Sequence, residues 1–586
     1  MRKAKIVCTL GPACSSFETM FAMAEEGMDV ARFNFSHGEY EGHEKNLELV
    51  RRVEKERKRP LAALLDTKGP EIRTGLLQGH EPVFLENGQM FSLTTRSLEG
   101  SSREVSISYG ELPKEVAPGM HIFIDDGTLQ LAVEEVKNEE ILCKVLVGGE
   151  LGERKGINVP DASLSVPTLT EKDREDIRWG LEHEMEYIAV SFVRSRDDVL
   201  EVLRVMEELS QGRPPMKIIA KIETKQSIEA LEEIAEVVDG MMVARGDLGV
   251  EIPTEDVPLQ QKRIIDICRS QGKPVIVATQ MLDSMIRNPR PTRAEANDVA
   301  NAVLYGADAV MLSGETAKGK YPLESVRTMR KIVARTEEES LRWGRHISLP
   351  VYATTVPDSV SHAATHIAGE LHAKAVISLT KSGSTSSMVS KYRPSCPIIG
   401  ATPSLRTWRQ LSLVWGVRPL LSREAPSIEQ ALNAAIMASL EEGILEEGDL
   451  VISTAGVPVG MPGTTNMVQV HTVGSILVKG LSLSKKEATG KVCKALTAQE
   501  AEAKIRDGDI LVVRETDKTF VPAMRKAGAV IAEEGGLTSH AAIVALNLGI
   551  PCIVSTRGAL KELEDGAVVT VDGTRGVVYG GKVKLH

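Results

Sequence analysis

The stretch "IIAKIET", residues 218–224, begins as a buried strand should and ends in Lys221 and Glu223, two residues apart. That spacing sends both side chains from the same face of a strand. Taken alone, an ammonium beside a carboxylate reads as a structural ion pair as readily as a catalytic one. The pattern recurs, however. "VARFNFS" puts Arg32, Asn34 and Ser36 on one face, and "LAALLDT" ends in Asp66 and Thr67. "GMMVARGD" ends in Arg245, Gly246 and Asp247, "PVIVAT" in Thr279, and "ADAVML" leads to Glu315. Every polar group at a buried strand end costs desolvation unless it is used, so the joint pattern favours an active site. Glu223 and Asp247 are hard carboxylates suited to Mg²⁺ or Mn²⁺ together with water and substrate oxygens. Lys221 beside them supplies positive charge where a transferring phosphoryl group develops negative charge. Gly246 lets backbone N–H groups approach a ligand closely. The implied substrate is small, anionic, phosphorylated and metal-bound.

Short apolar runs alternate with amphipathic segments such as "QSIEALEEIAEVV", the signature of repeated βα units. The expected strands are 5–10, 29–35, 61–66, 187–192, 217–222, 240–245, 274–279 and 307–312. Eight βα units make a TIM barrel, whose chemistry lies at the C-terminal ends of its strands. Residues 70–166 interrupt this series with period-2 pieces such as "MHIFIDDGTLQLAVEEV", which predict an inserted β-rich domain. The expected organisation is α/β. It places the barrel in 1–69 and 167–340, the insert in 70–166, an α/β region in 341–473 and a further domain in 474–586.

A net charge of −11, spread along 586 residues, argues against nucleic acid or an anionic membrane as the main partner. Seven scattered cysteines without a C-x-x-C pair predict a reduced protein with no disulfide framework. "MRKAKIVCTLG" passes directly into a strand, and no eighteen-residue apolar run occurs, so a cytoplasmic location is expected.

"VARFNFSHG", "LLDTKGPEIRTG", "KIETKQSIEALEEI", "VARGDLGVEIP", "VATQMLDSM" and "PTRAEANDVANAVLYGADAVMLSGETAKGKYP" together resemble pyruvate kinase over about residues 1–473. The resemblance implies transfer of the phosphoryl group of phosphoenolpyruvate to ADP, with Mg²⁺ (or Mn²⁺) and K⁺ as cofactors. It implies that Glu223 and Asp247 hold the divalent metal and that Lys221 stabilises the transferring group. Arg32 would bind the substrate phosphate. Gly246, Asp247 and the Thr279 hydroxyl would take the substrate carboxylate. Asn34, Ser36, Asp66 and the Thr67 carbonyl would bind K⁺, a dependence that goes with Glu71. Arg73 and Lys155 would reach the nucleotide phosphates from the roots of the inserted domain, which would act as a lid. A surface lysine is the alternative for Lys155. A homotetramer is implied in the same way.

"ISLTKSGSTSSM" runs from a strand into a Ser/Thr-rich helix start. It reads as a phosphate cradle of N–H groups, hydroxyls and Lys381, or as an ordinary capped helix. It resembles the family's effector site, implying that Thr380, Lys381, Ser382, Ser384 and Thr385 bind a phosphorylated sugar or nucleotide. "STAGVPVGMPGTTN" would form a second loop over it. Farther on, "EEGGLTSHAAIVALNLGIPCIVST" resembles the phosphohistidine domain of phosphoenolpyruvate synthases and pyruvate phosphate dikinases. That places His540 at a helix N-terminus. Two alternatives compete. A dikinase or synthase working through His540 would need an ATP-grasp segment, and none is legible. A regulatory pseudo-kinase would not keep every matched catalytic position occupied. The link "GSILVKGLSLSKKEA" is short and partly apolar, which predicts a docked tail and not a swinging carrier.

Overall fold

The computed structural model describes residues 2–162, 164–342, 355–456, 464–474 and 476–583. The part of the second effector loop at 457–463 lies outside them. The chain falls into two compact units, residues 1–361 with 380–421 and residues 362–379 with 422–586.

In the first unit, eight strands close into a barrel. They are β1 Lys5–Thr9, β2 Val30–Asn34, β3 Ala62–Asp66, β4 Tyr187–Val190, β5 Lys217–Ile222, β6 Gly240–Ala244, β7 Val275–Ala278 and β8 Ala309–Leu312. All neighbours pair in parallel, and β1 pairs with β8 to close the ring. Strands covered on both faces must be apolar along their length, and β1, β3, β4, β6, β7 and β8 are buried at every position. The interior is filled by Val7, Val30, Leu64, Tyr187, Ile219, Met242, Ile276 and Met311, with Leu413 in the same cluster. The Tyr187 hydroxyl donates to the Gln410 carbonyl at 2.6 Å, so residues 405–413 close the barrel floor.

Four barrel helices begin with reciprocal side-chain caps, Thr170 with Asp173, Ser195 with Asp198, Thr224 with Ser227 and Thr292 with Glu295. Each satisfies N–H groups that the first helical turn leaves unpaired, and fixes where a strand-end loop turns into its helix.

Between β3 and β4 the chain builds a seven-stranded sheet with its own core, including Phe91, Leu93, Leu131, Val133, Ile141 and Cys143. Its long hairpin, Leu129–Lys137 with Glu140–Val147, alternates buried and exposed residues as a half-covered antiparallel sheet requires. The turn Asp125-Asp126-Gly127 runs through three positive φ angles of 54°, 55° and 81°. The unit ends with the helix Ser384–Lys391 and the parallel pair Ile398–Thr402 and Val417–Leu421.

In the second unit, Ala375–Leu379 lies parallel to Leu450–Gly456, which pairs antiparallel with Thr465–Thr472. An eight-stranded sheet follows, from Ile476–Lys479 to Val577–Gly580. The expected linker is therefore structured. Ile476–Lys479 and Leu481–Ser482 are edge strands of that sheet, paired with Val577–Gly580 and Cys552–Val554. Only three residues separate Thr472 from Ile476. Arg575 donates to the Thr472 hydroxyl at 3.1 Å, and Tyr579 and Val583 pack against Gly474. All seven cysteines are free. Among the described residues no helix is long and apolar enough to cross a membrane.

Candidate active site

The C-terminal strand ends carry one ion network. β2 supplies Arg32, whose Nε donates to Asp66 Oδ2 at 2.6 Å and whose Nη1 donates to the Thr9 hydroxyl at 2.9 Å. Lys221 Nζ, from β5, lies 3.2 Å from Asp66 Oδ1 and 3.0 Å from Glu223 Oε1, and donates to Ser191 Oγ at 2.7 Å. The Asp66 and Glu223 side chains are 1% exposed, so these charges meet in a desolvated setting where pairing decides ionisation. Burial alone would raise the Asp66 carboxyl, but Arg32 and Lys221 outweigh it and hold it below the carboxylate range. Burial likewise opposes the Lys221 charge, yet Asp66 and Glu223 raise its pKa above that of an ordinary lysine.

Asp247 lies just beyond β6. Burial first, and the Glu223 carboxylate second, push its pKa up to about 7. Asp66 Oδ1 is buried and faces the Lys221 ammonium at 3.2 Å. The second Glu223 oxygen accepts from the Phe192 N–H at 2.8 Å, which orients the carboxylate.

Thr279, after β7, has a φ of 66°, a costly backbone for a β-branched residue. In that conformation its hydroxyl donates to the Ala278 carbonyl and accepts from the Gly246 N–H at 2.8 Å. A cleft of about 640 Å³ is lined by Gly246, Asp247 and Thr279 from the barrel and by Asp126 from the inserted sheet's turn. Asn34 is in register with Asp66, so Asn34, Ser36, Asp66 and Thr67 share adjacent strand ends. Within that group the Thr67 carbonyl accepts from Ser191 Oγ at 2.7 Å, and Asn34 Oδ1 from the Ser36 N–H at 3.1 Å.

Arg73 and Lys155 come together at the root of the inserted sheet, where Arg73 is in register with Gly156. Each has a local partner: Arg73 Nε donates to Glu71 at 2.7 Å, and Lys155 Nζ lies 2.9 Å from Asp125. Among the described residues, neither has a hydrogen bond or ion pair to Arg32, Asp66 or Lys221.

Two residues of the network were not singled out by sequence. Thr9 and Ser191 act through hydroxyls on Arg32 and Lys221, and a single Ser or Thr at a strand end carries no periodic signal. One strand-end residue does different work from that expected. Both Glu315 oxygens are taken by backbone donors, Leu282 N–H at 3.0 Å and Ser313 N–H at 2.7 Å, so it ties two loops together.

The cradle loop is compact. The Thr380 hydroxyl accepts from the Gly383 N–H at 2.9 Å, Ser382 and Ser384 hydroxyls are 3.2 Å apart, and Thr407 donates to the Lys381 carbonyl at 2.7 Å. Thr385 lies in the first turn of the helix that follows. In the second unit, His540 opens the helix His540–Leu548, and its Nδ1 is 2.9 Å from the Thr516 hydroxyl.

Residues 1–326 match the model of the pyruvate kinase barrel domain, and residues 358–471 match that of the pyruvate kinase alpha/beta domain. The chain belongs to the pyruvate kinase family. It is 47% identical to the pyruvate kinase of Geobacillus stearothermophilus, with 100% of each chain covered. It is 44% identical to pyruvate kinase 2 of a Synechocystis species, covering 99% of this chain and 98% of that protein. The crystal structure of a pyruvate kinase from Cryptosporidium parvum superposes with a TM-score of 0.76 at 40% identity, covering 80% of this chain and 96% of that one. Residues 505–576 match the mobile domain of phosphoenolpyruvate-utilising enzymes. Because bacterial pyruvate kinases match along their full length, the additional C-terminal domain is common to them and this chain. The protein is a phosphotransferase with pyruvate kinase function, and the dikinase and pseudo-kinase alternatives give way to it.

Proposed function

We propose that the Arg32–Asp66–Lys221–Glu223 network is the centre of phosphoryl transfer from phosphoenolpyruvate to ADP. In that reaction the bond between phosphorus and the enol oxygen breaks, a terminal ADP oxygen forms the new bond, and the enolate takes up a proton to give pyruvate. The observation that carries this reading is the position of Lys221, held between two buried carboxylates at a barrel strand end, on the strand beside the one whose following residues Gly246 and Asp247 line a cleft.

Arg32, fixed by Asp66 and Thr9, binds the substrate phosphate. Lys221 faces the group in flight, where a preorganised ammonium is worth more than in water because its geometry needs no rearrangement. The Gly246 and Asp247 backbone, with Thr279, holds the substrate carboxylate, the Gly246 N–H and the Thr279 hydroxyl exchanging their mutual hydrogen bond for it. Glu223 and Asp247 fit Mg²⁺ or Mn²⁺. A hard divalent cation held by two carboxylates keeps positions for substrate oxygens and water. When bound, the ion supplies Lewis-acid charge stabilisation. Asn34, Ser36, Asp66 and Thr67 fit K⁺ as a set of oxygen donors brought together on two adjacent strand ends. Arg73 and Lys155 hold nucleotide phosphates, exchanging Glu71 and Asp125 for them, and the inserted domain (70–166) excludes water.

The loop Thr380–Thr385 is read as the site of a phosphorylated effector, a sugar phosphate or nucleotide, that activates the enzyme. The reading extends to a cytoplasmic homotetramer and to the division 1–69, 70–166, 167–340, 341–473 and 474–586. In the C-terminal domain a carrier role for His540 is disfavoured by the three-residue joint after Thr472, which leaves little chain on which to swing. A coupled assay of ADP-dependent pyruvate formation, repeated with Lys221→Met and with a panel of phosphorylated effectors, tests the catalytic and regulatory readings separately.

A further inference from the structure

The inner face of β5 is read by its alternation: Lys217 at the start, Ile219 in the barrel interior, Lys221 at the catalytic end. Four residues of strand span about 13 Å. The upper lysine has two carboxylates and a hydroxyl. The lower one has nothing comparable: among the described residues Lys217 Nζ has neither a hydrogen-bond partner nor an ion pair. The residue retains a little exposure, yet desolvation lowers its pKa below the lysine range. Of its charged neighbours, Asp239 favours the ammonium and Arg406 opposes it. The Asp239 carboxylate is already engaged, accepting from the Ile218 N–H at 2.9 Å.

The surroundings make this lone charge informative. Lys217 Nζ stands 3.8 Å from where a Cβ on Gly383 would lie. Gly383 is the N-cap of the helix Ser384–Lys391, has a φ of 90°, and supplies no side-chain cap. A helix N-terminus carries a partial positive charge, so an unpaired ammonium there is placed against the field. Such a placement is costly unless an anion occupies the same site. The loop read as a phosphate cradle adjoins the same point: the Gly383 N–H donates to the Thr380 hydroxyl, and the Ser382 and Ser384 hydroxyls are 3.2 Å apart.

We propose that Lys217 is the counter-charge beneath the phosphate cradle and the residue through which a bound effector acts on the catalytic end of β5. The inference rests on the effector reading of Thr380–Thr385. It gives that reading a route: an anion at Gly383 engages the lower end of the strand whose upper end carries Lys221 and Glu223.

The test uses the full-length protein. Binding of inorganic phosphate, glucose 6-phosphate, ribose 5-phosphate and AMP is measured by calorimetry, and activation is measured at subsaturating phosphoenolpyruvate. In the parent, at least one organic phosphate binds and activates; binding of none overturns the effector reading itself. With that established, Lys217→Met weakens binding of the same compound at least tenfold and abolishes activation. Its kcat and KM without effector stay within twofold of the parent, and Lys217→Arg recovers most of the binding. Its Tm without effector is equal to or above that of the parent, because an unpaired desolvated charge has been removed. Unchanged binding and activation in Lys217→Met overturn the proposal, as does a Tm several degrees below the parent, which would mark Lys217 as structurally paired.

Discussion

Lys221→Met removes the ammonium that lies between Asp66 and Glu223 and keeps a side chain of similar length. The Lys221 side chain is 13% exposed and its two partners 1%, so the carboxylates cannot be rescued by bulk water. Breaking a buried pair from one side typically costs about 3–5 kcal/mol in stability, because the other charge is left stranded. Arg32 still compensates one Asp66 oxygen, which places the loss at the lower end of that range. In catalysis, deleting one preorganised charge at a developing anion costs about 10²–10³ in kcat. Substrate phosphate and carboxylate keep Arg32 and Thr279, so KM for phosphoenolpyruvate changes much less than kcat. Lys221 has a raised pKa, so its contribution to stability is full below its ordinary value near 10.5 and fades only as pH rises through the folded value. Asp66 has a lowered pKa, so its contribution is present above about 4 and is lost as pH falls through the folded value. The Lys221 and Asp66 contributions are both full between about pH 6 and 9. Asp247, pushed up to about 7 against the lowering effect of Lys221, titrates inside that window and makes the variant's deficit depend on pH there. The assay is steady-state pyruvate formation at 25 °C, with folding checked by circular dichroism. A folded variant retaining kcat within threefold of the parent refutes the catalytic reading and leaves Lys221 as a structural partner of Glu223.

Activity falls steeply when K⁺ is replaced by tetramethylammonium at constant ionic strength; full activity there removes the assignment of Asn34, Ser36, Asp66 and Thr67. Lys381→Ala and Ser384→Asp each abolish activation by a phosphorylated effector while the unactivated rate survives, since one deletes a positive charge and the other adds repulsion. Response like the parent in both would leave the loop as a capped helix. Glu315→Gln lowers Tm, because an amide cannot accept from both the Leu282 and Ser313 N–H groups; loss of one such buried bond costs about 1–3 kcal/mol. An unchanged Tm contradicts the structural role. A chain ending at residue 473 keeps most of its kcat, and full-length protein incubated with labelled phosphoenolpyruvate carries no acid-labile phosphate on His540. Stoichiometric label on that histidine would restore a carrier role.

What the sequence made legible follows from how each residue gets its environment. Parallel barrel strands are covered on both faces, so they appear as apolar runs, and all eight lie where those runs predict. Their ends are less legible: the run 187–192 continues to Phe192, yet β4 stops at Val190, freeing Ser191 to reach both Lys221 and the Thr67 carbonyl. Lys221, Glu223, Asp66 and Arg32 stood out because charge at the end of an apolar strand is locally anomalous. Glu315 looked equally anomalous, but its partners are backbone N–H groups, one of them 33 residues earlier, and backbone donors leave no mark in sequence. Lys217 shows the opposite failure. A lysine opening a strand looks like ordinary surface charge, and "KIIAKI" draws attention to its second lysine. Its setting is made by Gly383, Thr407 and Leu411, well over a hundred residues later, which cluster where the side chain ends. Local pattern thus identifies charges that conflict with their own strand. Charges whose cost is imposed by distant chain need the fold, and Lys217 at the lower end of β5 is one of them.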